Sequence, residues 1–147
     1  MFCMAPRPDG REKAHAAFAA ITSPGRHRVL VVEDERDLRE SLVDWLQVRG
    51  IDARGVEHGQ EAFQLLRDGY PACAVLLDLD MPVMNGWTFM DIQREDARLA
   101  AIPVFVLTGM PDPEREARRV RAVAGLSKAT PAGEQLLRLL AQHCLHH

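Results

Sequence analysis

The stretch Val29-Leu30-Val31-Val32-Glu33-Asp34 joins four aliphatic residues directly to two carboxylates. A continuous aliphatic run rich in β-branched residues is typical of a strand that is buried on both faces of a parallel sheet. The carboxylates begin where the apolar run ends. The sequence therefore predicts a buried strand with acidic side chains at its carboxyl end.

Strand and helix patterns alternate along the rest of the chain. Between the strands, apolar residues recur at helical spacing, for example at Leu38, Leu42, Trp45 and Leu46. The predicted strands lie near 29–32, 51–56, 73–77, 103–107 and 123–127. Five short strands alternating with helices predict an α/β fold, with a doubly wound five-stranded parallel sheet and helices on both faces.

Three helices are predicted in the second half of the chain. We expect one helix from Asn85 to about Arg98. Asp112 before Pro113 offers an N-cap and a proline at the first helical position, and Thr130 before Pro131 does the same.

The N-terminal residues 1–27 differ from the rest of the chain. The run from Glu12 to Ile21 is rich in alanine and predicts a short helix, which Ser23-Pro24-Gly25 ends. We therefore expect an extension with a helix and a linker over 1–27, followed by one folded domain over 28–147.

Composition limits the function classes. The chain has 147 residues, 47% of them apolar, and a net charge of −3. This is enough apolar material for a core, and it lacks the basic excess of a nucleic-acid-binding domain. No apolar run is long enough to span a membrane, and the first residues lack the apolar segment of a signal peptide.

The cysteines Cys3, Cys73 and Cys144 form no CxxC pair and predict inert thiols in a reducing, cytoplasmic setting. A second group of ligand-type residues crowds the C-terminus. We interpret it as a frayed helix end in preference to a metal site, and it comprises His143, Cys144, His146 and His147.

Polar residues follow four of the predicted strands. They are Glu33 and Asp34, then Asp78 and Asp80, then Thr108, and finally Lys128. The carboxyl ends of parallel strands meet at one edge of the sheet, so these side chains are expected to lie together. Clustered carboxylates favour a hard divalent cation such as Mg²⁺. With a hydroxyl and a lysine beside them, they suit the acceptance of a phosphoryl group by an aspartate.

At this point the sequence resembles response regulator receiver domains of two-component signalling. The similar segments are Val29 to Glu35, Leu76-Leu77-Asp78-Leu79-Asp80-Met81-Pro82-Val83-Met84-Asn85-Gly86, Val106-Leu107-Thr108-Gly109 and Leu126-Ser127-Lys128. The intervals from Asp34 to Asp78 (78 − 34 = 44) and from Asp78 to Thr108 (108 − 78 = 30) also agree with that family. The resemblance implies a flavodoxin-like strand order of 2-1-3-4-5.

The resemblance also implies roles for the acidic residues. Asp78 would receive a phosphoryl group from a sensor histidine kinase or a histidine phosphotransfer protein. Asp34, Asp78 and the backbone carbonyl of Asp80 would bind Mg²⁺, and Glu33 would assist through water.

Two further residues have implied roles in signalling. Thr108 and Lys128 would hold the phosphoryl oxygens and transmit the signal to an unknown downstream protein. Such a domain is not an enzyme with steady turnover; at most it catalyses its own slow phosphorylation and dephosphorylation. Only 147 − 128 = 19 residues follow Lys128, so we expect a stand-alone domain.

Four features depart from the family pattern. Ala129 replaces a proline that usually follows the lysine, and a cis bond there would cost about 2.5–4 kcal/mol. Gly125 replaces a common aromatic residue, Gly109 replaces an alanine, and the interval from Thr108 to Lys128 is short (128 − 108 = 20). We expect a trans Lys128–Ala129 bond or a rebuilt loop, so that Lys128 reaches the phosphoryl site less directly than in relatives. We also expect the signal to leave through the backbone of 108–128.

Two other functions stay open. Asp78-Leu79-Asp80 resembles the Asp-x-Asp motif of haloacid-dehalogenase-like phosphatases, in which one of Asp78 and Asp80 would be the nucleophile and the other the general acid. The altered residues Ala129 and Gly125 would also fit a receiver-like docking module that works without phosphorylation.

Overall fold

A computed structural model describes residues 27–79, 86–129 and 133–144. Five parallel strands form one sheet in the order β2-β1-β3-β4-β5, which confirms the predicted fold class and strand order. The strands are β1 (Arg28–Val32), β2 (Asp52–Val56), β3 (Ala74–Asp78), β4 (Val104–Thr108) and β5 (Ala124–Ser127).

Helices connect the strands and follow the last one. Those in the described ranges are α1 (Arg36–Val48), α2 (Gly59–Arg67), α3 (Gly86–Glu95), α4 (Ala97–Ala100), α5 (Pro113–Val120) and α6 (Gly133–Cys144). None of them is long and apolar enough to cross a membrane.

Alternate residues of β1, β3 and β4 enter two separate cores, as the period of two in a strand requires. Leu30 and Val32 of β1 pack with residues of α2, α3 and α5 on one side. Val29 and Val31 pack with residues of α1 and α6 on the other side. Because both faces of the sheet are covered, a strand made only of aliphatic residues is favoured over one that alternates apolar and polar residues. Burial of each aliphatic side chain contributes about 1.5–3 kcal/mol to the free energy of folding.

The prediction of one helix from Asn85 to about Arg98 is wrong at its C-terminal end. Asp96 interrupts it, because its side chain accepts hydrogen bonds from the backbone N–H groups of Arg98 (3.0 Å) and Leu99 (3.4 Å) and caps the short α4. Aspartate competes well for this position and poorly for a helix interior. The start at Asn85 lies outside the described residues.

The expected N-cap of α5 is confirmed. Asp112 accepts a hydrogen bond from the N–H of Arg115 at 3.1 Å, and Pro113 is the first helical residue. At the other end, Arg121 has a φ of 64°, a left-handed conformation that usually takes glycine. The Thr130-Pro131 start of the last helix lies outside the described residues.

The predicted fraying at Cys144 is wrong. The residue lies in the last turn of α6 and is 2% exposed. His146 and His147 lie outside the described residues, as do Cys3 and residues 1–26 of the extension expected over 1–27.

Candidate functional site at the carboxyl edge of the sheet

The acidic side chains of β1 and β3 meet as predicted. Val32 of β1 pairs with Leu77 of β3, so the residues that follow, Glu33 and Asp78, lie at the same level of the sheet. Carboxylate oxygens of Glu33, Asp34 and Asp78 all lie within 4.8 Å of one another. Glu33 and Asp78 are each 1% exposed, whereas Asp34 faces solvent. Asp80, the fourth residue of the predicted metal set, lies outside the described residues.

Lys128 reaches this cluster from β5. Its Nζ lies 3.0 Å from Asp78 Oδ1 and 3.4 Å from Glu33 Oε1. The backbone helps to place it, since the N–H of Lys128 donates to the carbonyl of Thr108 at 2.9 Å. The ammonium therefore contacts both buried carboxylates directly.

The peptide bond between Lys128 and Ala129 is trans, as expected, because the part of the chain that the structure describes contains no cis bond. The N–H of Ala129 donates to the hydroxyl of Ser127 at 3.0 Å. A local side-chain contact thus orients the loop after β5.

Thr108 lies at the end of β4 and is completely buried. Its hydroxyl accepts a hydrogen bond from the N–H of Met110 at 3.1 Å. Such a bond is the ordinary role of a threonine at the start of a turn. Asp78 pairs with Leu107, so Thr108 lies one residue beyond the acidic side chain on the neighbouring strand.

Burial controls the protonation of Glu33. It raises the pKa of this carboxyl to about 7, and the charge of Asp78 adds to the effect. The hydrogen bond from the N–H of Glu35 (3.0 Å) to Glu33 Oε2 opposes the shift. Glu33 therefore changes its charge near neutral pH.

The other two groups are shifted toward their charged forms. Burial acts against ionisation of Asp34, but hydrogen bonds with Asp78 and Glu33 prevail and lower its pKa. Burial likewise opposes the charge of Lys128, but the hydrogen bond and charge of Asp78 prevail and raise its pKa. The site thus holds more negative than positive charge.

This donor set fits a hard divalent cation. Glu33 Oε1 is buried and accepts no hydrogen bond from the described residues, with the ammonium at 3.4 Å as its charged neighbour. Three carboxylates that share one lysine repel one another, and a cation with oxygen ligands relieves that repulsion. Mg²⁺ accepts such ligands while keeping positions for water and phosphate oxygens.

Sequence reasoning missed Arg39. Its Nη1 donates to the backbone carbonyl of Glu33 at 2.9 Å and lies 3.5 Å from the carbonyl of Asp34, so it holds the acidic loop from α1. The side chain also passes close to Gly55 of β2, where a Cβ would approach Arg39 Cγ at 2.8 Å. The sequence gives no sign of these contacts, because an arginine in the first turns of a charged helix is common.

Sequence reasoning also missed the physical reason for Gly125. A Cβ at this position would overlap the backbone carbonyl of Pro113. The backbone nitrogen of Gly125 lies 3.4 Å from Glu114 Oε2. The first turn of α5 therefore lies directly on β5. An aromatic side chain at position 125 has no space in this packing.

The comparisons with known proteins agree with this geometry. The family model of the response regulator receiver domain matches residues 29–141. The response regulator protein FleR of Pseudomonas aeruginosa is 36% identical over 121 residues, which are 80% of this chain and 24% of FleR. The CpxR homolog of Haemophilus influenzae, a transcriptional regulatory protein, is 35% identical over 81 residues, 55% of this chain and 34% of that protein.

Solved structures give the same result. A response regulator receiver protein from Pseudomonas putida is 32% identical with a TM-score of 0.71, covering 80% of this chain and 98% of that one. The chemotaxis protein CheY4 of Vibrio cholerae is 26% identical with a TM-score of 0.71, covering 81% and 99%. The chain spans about a quarter to a third of these two curated relatives. It belongs to the response regulator receiver domain family of two-component systems.

Proposed function

We propose that residues 28–147 form a receiver domain that accepts a phosphoryl group on Asp78, and that residues 1–27 are an extension of it. The donor would be a phosphohistidine of a sensor histidine kinase or a histidine phosphotransfer protein. The observation that carries this proposal is the position of Asp78, which is buried among carboxylates with the Lys128 ammonium at 3.0 Å.

The transfer needs a nucleophile and compensation of charge. An oxygen of Asp78 attacks phosphorus, the phosphorus–nitrogen bond of the donor breaks, and the leaving imidazole takes up a proton. Asp78 becomes an acyl phosphate, which brings further negative charge into the site. Lys128 is placed to pair with that charge, and its raised pKa keeps it protonated.

The metal would be held by Asp34, Asp78 and the backbone carbonyl of Asp80, with Glu33 assisting through water. When bound, Mg²⁺ supplies positive charge that lets carboxylates and phosphoryl oxygens lie close together. Arg39 contributes by holding the backbone of the loop that carries Glu33 and Asp34.

We propose that Thr108 senses the phosphoryl group. In the described state its hydroxyl bonds to Met110, and its carbonyl accepts from the N–H of Lys128. A phosphoryl oxygen would compete for this hydroxyl and for the ammonium, and so would shift the backbone of 108–128. The readout would be a protein partner in the cytoplasm, with no direct contact to nucleic acid or membrane.

The test is phosphorylation by acetyl phosphate with Mg²⁺, followed by intact mass measurement. We expect the wild-type chain to gain one phosphoryl group and Asp78→Asn to gain none, because an amide is not a usable nucleophile here. Asp44→Asn, an exposed position on α1, is the matched control and should react like the wild type. A wild-type rate in Asp78→Asn would contradict the assignment.

The same assay separates the alternatives. A phosphatase that uses Asp78 and Asp80 would turn over a generic phosphomonoester many times. A docking module that works without phosphorylation would gain no mass at any Mg²⁺ concentration. The match over residues 29–141 and the intact acidic cluster favour the phosphoacceptor.

A further inference from the structure

The edge of the sheet opposite the acidic site brings three ligand-type side chains together. His27 precedes β1, Cys73 precedes β3, and Cys144 ends α6. An imidazole nitrogen and the two sulfur atoms all lie within 4.8 Å of one another. Residues 27, 73 and 144 are far apart in sequence, so only the fold creates this cluster.

The scaffold around the cluster is largely buried and held by backbone hydrogen bonds. The amino ends of β1 and β3 are neighbours, because Val29 pairs with Ala74. The N–H of Cys73 donates to the carbonyl of Arg28 at 2.8 Å, and the thiol of Cys144 lies 3.5 Å from the carbonyl of Cys73. His27 is 7% exposed and Cys144 is 2% exposed.

We propose that His27, Cys73 and Cys144 form a structural zinc site. Two thiolates and an imidazole are ligands that zinc prefers, and a water molecule can complete a tetrahedral set. Bonds of about 2.3 Å to sulfur and about 2.0–2.1 Å to nitrogen would place the ligand atoms about 3.5–3.8 Å apart. Side-chain adjustments of about 1 Å would bring the three groups to these distances.

Access and protonation are consistent with binding. Cys73 is only partly buried, which leaves a route for an ion. The hydrogen bond between the two thiols lowers the pKa of the Cys73 thiol, and the same bond, with burial, raises the pKa of the Cys144 thiol. The Cys73 and Cys144 thiols lose their protons to solvent when the ion binds.

The ion would connect the starts of two central strands to the end of α6. A ligand that binds only the folded state stabilises it in proportion to its affinity and concentration. The cluster lies a strand length away from Asp78, about 16 Å for five residues. We therefore expect zinc to change stability and to leave the phosphorylation of Asp78 unchanged.

The experiment uses the full chain, reduced and freed of metal, titrated with Co²⁺ and then Zn²⁺. We expect one equivalent of Co²⁺ to produce the thiolate-to-cobalt charge-transfer band and the intense visible bands of tetrahedral cobalt. Zn²⁺ should displace it and raise the melting temperature. Absence of the thiolate band from the reduced wild-type protein would overturn the proposal.

Variants identify the ligands. Cys73→Ser should remove the thiolate band or weaken binding at least tenfold, and His27→Gln should weaken it at least tenfold. Cys3→Ser and His143→Gln are matched controls and should bind like the wild type. If Cys73→Ser and His27→Gln bind Co²⁺ as tightly as the controls do, the proposed ligand set is wrong. If a double substitution of His146 and His147 to Gln abolishes binding, the metal sits at the C-terminus and the proposal also fails.

Because Cys144 is buried, a substitution there can impair folding. Alkylation of the wild-type protein avoids this problem, since bound Zn²⁺ should slow modification of Cys73 and Cys144 but not of Cys3. A Cys73–Cys144 disulfide in protein prepared without reductant, together with no Zn²⁺ protection of the reduced protein, would show a redox pair and overturn the zinc site. Phosphorylation of Cys73→Ser at the wild-type rate keeps this test independent of the phosphoacceptor proposal.

Discussion

The acidic site and the contact between α5 and β5 lie at the same end of the sheet, and different forces hold them. At the acidic site, Glu33, Asp78 and Lys128 interact through charge, at 3.0–3.4 Å from the ammonium to the two carboxylates. At the second region, the backbone of α5 lies against Gly125 with no side chain between them. An interaction between charges tolerates small shifts in position. The close contact between the α5 backbone and Gly125, in contrast, leaves no room for an added atom.

The comparison indicates how the two regions divide the work. The charged cluster changes its protonation near neutral pH at Glu33, and we propose that it also takes up a metal ion and a phosphoryl group. A helix whose backbone packs directly on a glycine can move only as a whole, together with the backbone segments on either side of it.

The largest effect is expected at Gly125. Gly125→Ala places a Cβ in overlap with the carbonyl of Pro113, so α5 must move away from β5. We expect a loss of about 3 kcal/mol or more in the free energy of unfolding, measured with denaturant. Gly109→Ala is the matched control, since a Cβ there meets nothing within 4 Å, and it should be neutral or slightly stabilising. Equal stability of the two variants would show that the close packing is absent in solution.

The next effect concerns the charge of Glu33 without Mg²⁺. Its folded-state pKa of about 7 lies above the ordinary value of 4.5, so the folded state favours the protonated form. The resulting stabilisation is complete below pH 4.5 and disappears as the pH rises through 7. Glu33→Gln should therefore be more stable than the wild type at pH 8, by about 2–3 kcal/mol, and similar to it at pH 4.5.

Two measurements sharpen the Glu33 prediction. The exposed Glu40→Gln variant should show no such pH-dependent difference, because Glu40 lies at the surface of α1. Mg²⁺ should reduce the advantage of Glu33→Gln at pH 8, since a cation stabilises the ionised carboxylate. A constant difference from pH 4.5 to pH 8 would contradict the shifted pKa.

A third effect separates two carboxylates within the acidic site. Asp34→Ala should weaken Mg²⁺ binding at least tenfold, measured by calorimetry, because it removes a carboxylate that we propose as a direct ligand. Glu33→Ala should weaken it by a smaller factor, since we assign Glu33 an action through water. Asp44→Ala serves as the surface control. Equal losses from Asp34→Ala and Glu33→Ala would overturn this division of roles.

A fourth effect links the two regions. Beryllofluoride with Mg²⁺, a mimic of the phosphoryl group, should change amide hydrogen exchange most within 109–128, by several-fold. The reason is that α5 buries only Ala117 and Val120, so local opening there is easier than in the central strands. Asp78→Asn should show no change. Changes concentrated in α1 and α2 would place the output elsewhere.

The parts of the molecule that could be predicted from the sequence are those whose cause lies in side-chain type and spacing. Aliphatic runs such as Val29 to Val32 indicated the strands, and the polar residues after them indicated that Glu33, Asp34 and Asp78 would meet. Asp112 before Pro113 correctly indicated the start of α5. These signals are local, so a single sequence contains them.

The parts that could not be predicted depend on tertiary distance. In the sequence, Gly125 stands where an aromatic residue is common in the family. The reason for a glycine there is the backbone of Pro113, twelve residues earlier in the chain, which leaves no space for a side chain. Asp96 interrupted the expected long helix because its side chain caps a new one. Cys73 and Cys144 are separated by 71 residues and come together only when α6 returns to the amino edge of the sheet.

The smallest effect concerns the end of α5. Arg121 has a φ of 64°, where an L-residue is strained and glycine is not. Arg121→Gly should therefore raise the free energy of unfolding by about 0.5–1 kcal/mol, measured with denaturant. Arg118→Gly, three residues earlier on the exposed side of the same helix, is the matched control and should lower it by about 1 kcal/mol. Effects of the same sign would mean that α5 does not end at Arg121, and the helix would then have a different position over Gly125.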